Sequence, residues 1–150
     1  IGVVRLCERL LHHDPPTSEE VGQAREWIAR ETKTAVAEMM GYQTATFVGT
    51  AGTITALAAM AQKLPVYEPA RIHNYTLRLD TVRELEEILL GRKKTDRVGL
   101  PGLEKNREDV IAAGAIIIRT VMETLGMSLV LVSDLGLREG VLIDLATRRR

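Results

Sequence analysis

Residues 47–60 read FVGTAGTITALAAM. A short apolar run ends at Gly49, a turn of Thr50, Ala51 and Gly52 follows, and from Thr53 the residues favour helix. Strand, glycine turn and helix in that order are the building unit of an α/β fold, so this stretch decides the fold class. It also poses a functional choice between a plain connector and an anion-binding loop. A strand delivers Gly49 to the carboxyl edge of a sheet, where open α/β folds bind ligands. A helix starting near Thr53 aims unpaired amides and the positive end of its dipole at the same place. Gly49 and Gly52 let backbone approach an anion closely, and Thr50 and Thr53 add hydroxyls. The chemistry suits phosphate, yet the sequence has neither the GK[ST] of a P-loop nor GxGxxG.

The flanks extend the α/β pattern. Val and Leu in residues 2–8 suggest a strand. HDPPTSEE stops it, and Thr17 with Glu20 has the spacing of a capping box. Val21, Ala24, Ile28, Ala35, Val36 and Met39 then share one face of a helix ending near Gly41, with Trp27 at the edge of that face. Residues 44–48 make the next strand and 53–62 the next helix. Residues 72–79 read as extended, and Asp80 opens a helix to Leu90 with Val82, Leu85, Ile88 and Leu89 inward and Gly91 at its end. GRKKTDR reads as a solvated loop, since acids and turn residues interrupt the charge. Asn106 and Asp109 suit the start of the longest helix, with Val110, Ala113, Ile117, Val121 and Leu125 inward and Gly126 as its stop. Gly114 inside it costs ~1 kcal/mol against Ala, which a close approach by another helix would justify. Residues 129–132 are continuously apolar, as in a strand covered on both faces. SDLGLREG turns the chain into a last helix from Val141. The whole is one 150-residue domain, with residues 64–105 an excursion between core elements.

The totals exclude several classes of function. Lys+Arg and Asp+Glu each number 20, so no basic surplus supports nucleic-acid binding. The single cysteine, Cys7, excludes an internal disulfide, and His12, His13 and His73 give no zinc-ligand spacing. That suits a reducing cytoplasm. No apolar run is long enough to span a bilayer. No catalytic Ser–His–Asp or Cys–His set can be assembled. The second candidate turn is VSDLGLREG, where Arg138 and Glu139 follow the other buried strand at the same sheet edge. Glu139 reads either as a site acid or as the cap of the last helix. Arg107 sits in a first helical turn, where a cation is mildly unfavourable unless an anion such as Asp109, Glu139 or a ligand phosphate compensates it.

Four segments in fixed order, GVVRLCERLLHHDPPTSEE, FVGTAGTITALAAM, LPGLEKNREDVIAAGAI and LVLVSDLGLREGVL, resemble the exopolyphosphatase and guanosine pentaphosphate phosphohydrolase (Ppx/GppA) family. The resemblance implies a ribonuclease-H-like lobe of the actin-like, sugar-kinase and heat-shock-ATPase superfamily. It covers the second of two lobes and lacks that lobe's first two strands. The implied parent is a magnesium-dependent hydrolase that releases phosphate from polyphosphate ends or guanosine pentaphosphate. In the family the general base and a DxGGGS-type loop lie upstream, so no catalytic base and no metal ligand are expected here, and the chain alone is expected to be inactive. Gly49, Thr50, Gly52 and Thr53 match a phosphate-facing turn, with Arg107, Arg138 and Glu139 as matched positions of open role. Ala51 stands where many relatives have Ser, which removes a hydroxyl but keeps the amide.

With its neighbours missing, the strand at 2–8 is expected to be unpaired and the strand at 44–48 to expose an open edge. Self-association is therefore expected. The competing reading is a non-catalytic phosphate-binding or assembly module. A lobe of an ATP-using kinase or chaperone is disfavoured by VSDLGLREG and LPGLEKNREDV.

Overall fold

The computed structural model describes residues 1–37 and 46–148. Among these residues the sheet has three strands, β1 (Val48–Thr50), β2 (Thr76–Arg78) and β3 (Leu129–Ser133), in the order β1-β3-β2. β1 runs parallel to β3, with Val48 opposite Leu131 and Thr50 opposite Ser133, while β2 runs antiparallel to β3. The parallel pair is the element that the glycine stretch implies. It brings the turns after Thr50 and Ser133 to one edge of the sheet. The segment expected to be an excursion supplies β2, so it contributes to the sheet itself.

The helices are α1 (Val3–Leu10), α2 (Ser18–Ala37), α3 (Gly52–Ala61), α4 (Pro69–Ile72), α5 (Leu79–Leu90), α6 (Ile111–Thr124) and α7 (Leu137–Arg148). α3 packs on β1 and β3, α5 packs on β2, and α6 lies across α3 and α5. α1 and α2 cover the other side of α6. α6 is therefore buried on two sides. Ile111, Ala115 and Met122 join the core beside the sheet, and Ala113 and Ile116 join the core beneath α1 and α2. The expected stripe through Ala113, Ile117 and Val121 is the second of these faces.

Residues 2–8 are a helix, which corrects the strand expected there, and the idea of an unpaired first strand falls with it. Val3, Leu6, Cys7 and Leu10 recur at helical spacing, and Leu6 is fully buried against α2 and α6. The β-branched pair Val3–Val4 misleads, because tertiary burial overrides propensity in so short a segment. β1 begins at Val48, later than expected, and residues 44 and 45 lie outside the described residues. So do Met39 and the expected helix end at Gly41. In α2, Val21, Ala24 and Ile28 are buried as expected, whereas Ala35 and Val36 are exposed. Trp27 is half-buried at the edge of the core. In α5, Val82, Leu85 and Leu89 are buried but Ile88 is exposed.

Among the described residues β3 is not covered on both faces. Val130 and Val132 are buried, but Leu129 is 42% exposed, because α3 and α5 pack on one face only. α7 likewise has no buried residue, and its Leu137, Val141, Leu142, Ile143 and Leu145 face solvent.

GRKKTDR is also corrected. Arg97 ends a short 3-10 turn and is buried, donating to the carbonyls of Leu89 at 3.0 Å, Glu108 at 3.0 Å and Arg92 at 2.8 Å. Asp14 lies 3.7 Å away and supplies the countercharge. This guanidinium fastens the end of α5 to the approach of α6. A second charged lock ties three helices, with Glu86 of α5 fully buried between Arg25 of α2 at 2.8 Å and Arg119 of α6.

The capping box at the start of α2 is formed. The Glu20 amide donates to Thr17 Oγ1 at 3.2 Å, and the Thr17 amide donates to Glu20 Oε2 at 2.8 Å. Glu20 Oε1 also accepts the His12 amide at 2.8 Å and meets His13 Nδ1 at 2.9 Å. Burial alone would raise the carboxyl pKa, but His13 and the Thr17 and His12 amides outweigh it and hold the pKa at about 2. The depressed value means that Glu20 contributes stability above its ordinary pKa of 4.5, and that this is lost as pH falls toward 2. Urea titrations of the protein and of Glu20→Gln should therefore differ most near neutral pH and converge on acidification. A stability difference that stays constant with pH would contradict this.

Candidate functional site

The carboxyl edge of the β1–β3 pair carries the site. After Thr50, Ala51 turns the chain with φ 77° and ψ 171°, and α3 begins at Gly52 with no side-chain cap. Thr55 is the first residue of this segment whose amide bonds back, to the Ala51 carbonyl at 3.3 Å. The earlier amides of the first turn have no intrahelical partner, which is the electropositive arrangement that the sequence suggests.

Gly52 lies against the Arg107 side chain. A Cβ there would lie 2.4 Å from Arg107 Nη1, so the guanidinium rests directly on the turn. Arg107 also meets Glu104 Oε2 at 3.0 Å through Nε. Its carbonyl accepts the Ile111 amide at 3.0 Å, so the same residue opens α6. Gly49 is required by packing, since a Cβ there would lie 2.9 Å from Ile54 Cγ1 and 3.0 Å from Val130 Cγ2. The side chain of Thr53 lies against α6, with its Cγ2 only 2.4 Å from where a Cβ on Gly114 would stand. That contact is the close approach for which Gly114 is needed. Thr53 thus brings its amide to the turn, while its methyl joins two helices.

The second turn is bound to the first. Thr50 Oγ1 donates to the Leu135 carbonyl at 2.9 Å. Glu139 Oε2 accepts the Gly136 amide at 2.7 Å, which makes Glu139 the cap of α7. The Gly136 amide, then the amide of Glu139 itself, and then Arg138 hold its carboxyl below the ordinary range. Of the two readings of Glu139, the geometry supports the cap. Arg138 is 92% exposed and lies 3.9 Å from Glu139 Oε1. Gly52, Arg107 and Arg138 line one cavity of about 260 Å³.

Four residues join this cavity that the sequence does not single out, namely Thr55, Tyr67, Glu104 and Asp134. The Tyr67 hydroxyl donates to Asp134 Oδ1. Burial and the Asp134 carboxylate both raise the Tyr67 pKa, so the phenol keeps its proton. Asp134 follows β3 directly, and the sheet-edge rule that selects Gly49 would have selected it too. Tyr67 arrives from a remote loop, and nothing local in its sequence announces it.

The sequence matches the Ppx/GppA phosphatase family over residues 1–149. The chain belongs to the Ppx/GppA phosphatase family. It is 35% identical to exopolyphosphatase 2 of Mycobacterium tuberculosis strain H37Rv, over 97% of this chain and 47% of that protein. It is 27% identical to exopolyphosphatase 1 of Mycobacterium bovis, over 95% of this chain and 42% of that protein. The crystal structure of the Aquifex aeolicus Ppx/GppA family member superposes with a TM-score of 0.90 at 31% identity, over all of this chain and 48% of that one. An exopolyphosphatase structure from Cytophaga hutchinsonii, at 22% identity and a TM-score of 0.81, shares the fold. The chain thus spans about half the length of such relatives, as a single lobe of the actin-like architecture does.

The Gly114 contact makes a stability prediction. Alanine gains ~1 kcal/mol of helix propensity there, but overpacking against Thr53 costs ~1–3 kcal/mol. Gly114→Ala should lower stability by a net ~1 kcal/mol in urea titration, and a stabilised variant would refute the close approach.

Proposed function

We propose that this chain is the phosphate-binding half of a hydrolase that releases phosphate from the ends of polyphosphate or from guanosine pentaphosphate. One observation carries the reading. Arg107 rests on Gly52 at the uncapped start of α3, with Arg138 on the same cavity, at the sheet edge where this architecture binds ligands. The names of the relatives and the family match support the same chemistry. In phosphoryl transfer most of the work is positioning and charge neutralisation. Here the first amides of α3 and the Arg107 guanidinium would hold the non-bridging oxygens of the transferred phosphate. Arg138, free to swing, would meet the next phosphate along. Thr50 fixes the second turn relative to the first through Leu135.

Magnesium is part of this proposal. Among the described residues no three His, Cys, Asp or Glu side chains gather as a metal cage. Magnesium commonly takes one or two carboxylates, with water and substrate phosphates completing its shell. Asp134 and Glu104 are hard oxygen donors at the cavity, so the residues present fit a shared site of that kind. When bound, the ion would neutralise charge on the phosphates. The proposal assigns the general base to the rest of the protein and no activity to this chain alone.

The test is phosphate release by the intact protein with magnesium, offered long-chain polyphosphate, guanosine pentaphosphate and ATP in parallel. Release from either of the first two is expected. Arg107→Ala should cut it by ~100-fold, the usual effect of losing one transition-state charge partner. No release from a folded protein would turn the reading to a phosphate-binding or assembly module.

The exposed surfaces belong to the same proposal. Among the described residues β1 pairs only with β3, and the apolar residues of α7 are uncovered. We assign both to contact with the remainder of the protein, in a cytoplasmic enzyme. No described helix is long and apolar enough to cross a membrane. Produced by itself, the chain should self-associate through these surfaces. Sedimentation should show dimers or larger species at micromolar concentration, and a strict monomer would refute the assignment.

A further inference from the structure

A cavity of about 460 Å³ lies between α2, α5 and α6, on residues that the phosphate site does not use. Glu86, Arg25 and Arg119, the lock between the three helices, line it together. Both arginines bond the same carboxylate oxygen of Glu86, Oε2. The other, Oε1, is buried with no partner among the described residues, and so is Arg25 Nε. A buried charged group left short of a hydrogen bond costs stability, and such groups are rare in folded proteins. Here one free acceptor and one free donor stand on adjoining side chains of a single cavity.

Gly22 is a second sign of a ligand. It lies inside α2 and lines the cavity, and a Cβ there would meet nothing within 4 Å. Glycine weakens a helix relative to alanine, yet no close approach of another group requires it here. What the missing side chain leaves is room in the cavity.

The lining states what that room suits. Arg25 and Arg119 are matched by Glu86 and Glu87, so a ligand with only one sign of charge gains little from the lining as a whole. A ligand with both charges close together gains from each. Pro16, Val21 and Leu90 add an apolar wall beside the charged groups. The volume is that of a small-molecule site and leaves space for an aliphatic chain.

We propose that this cavity binds a free α-amino acid with an aliphatic side chain. Its ammonium donates to Glu86 Oε1, its carboxylate accepts from Arg25 Nε, and its side chain covers Val21 and Leu90. Arg25, with its side chain 34% exposed, is the member of the lock with freedom to turn and admit the ligand. The lock then gains the two hydrogen bonds it lacks. The site shares no residue with the phosphate cavity, so it stands or falls apart from the phosphate reading.

Calorimetric titration of the intact protein tests it, with L-leucine, isocaproate and isoamylamine as probes. The three share an aliphatic chain, but isocaproate lacks the ammonium and isoamylamine lacks the carboxylate. L-leucine should bind, and each of the others should bind at least about tenfold more weakly, the loss of one charged hydrogen bond. Gly22→Leu fills the cavity without touching the ion pairs. The variant should unfold at the same or a higher urea concentration, because leucine favours the helix, and should no longer bind L-leucine. No binding of L-leucine at millimolar concentration, equal affinity for the three probes, or binding that survives Gly22→Leu overturns the site. A variant that unfolds at lower urea concentration overturns it too, since the room at Gly22 would then be already filled.

Discussion

The site depends on the contact between α3 and α6 at Thr53 and Gly114. Only the Thr53 side chain fits between the two helices there, so their starts are held at one spacing. α3 starts at Gly52 and α6 is opened by the Arg107 carbonyl, and the contact therefore places a guanidinium on a helix N-terminus. That juxtaposition is unfavourable by itself, because cation and dipole repel. Glu104 relieves part of it at 3.0 Å. A phosphate would relieve the rest, since it attracts the guanidinium and the helix terminus together. The packing thus brings together two groups that a single anion would meet at once.

Such a geometry needs a rigid frame, and the frame is made by polar locks as much as by apolar burial. Glu86 is fully buried and ties α5 to α2 and α6 through Arg25 and Arg119. Among the described residues its Oε1 and the Arg25 Nε have no partner, so this ion pair is not optimised for stability. It serves position, fixing how α6 lies between its neighbours. Arg97 does the same just beyond the C-terminal end of α5 with three carbonyls. Burial pushes its pKa down and Asp14 opposes that shift. Together these contacts fix the path of residues 98–110, the segment that delivers Arg107.

What the sequence made legible was local chemistry. The glycine turn, the Thr17–Glu20 box and the apolar run of β3 are each read within a few residues, and each stands in the structure. Gly114 was legible as a close approach, although its partner Thr53 was not. The failures are all long-range. Residues 2–8 read as a strand because two valines outweigh a helical spacing that only the burial of Leu6 makes decisive. Arg97 was lost in a charge run, since no local signal distinguishes a buried arginine from a solvated one. Tyr67 and Asp134 are far apart in sequence, and their hydrogen bond depends on where β3 ends relative to the loop after α3. Family resemblance supplied the lobe architecture that periodicity could not. It did not reveal that Thr53 and Gly49 are committed to packing.

Ala51 carries the argument one step further. Its φ of 77° with ψ 171° is a conformation natural to glycine and strained for alanine, at a cost of about 1–3 kcal/mol. Ala51 is exposed, so no burial of its side chain explains the strain. The surroundings impose it instead. β1 is fixed by its register with β3, α3 is fixed by Gly114, and only this dihedral pair connects the two. The strain is therefore a consequence of holding the first amides of α3 at the sheet edge beside Arg107. Glycine at position 51 would relax the turn, so alanine there keeps the strain at the point where β1 hands the chain to α3.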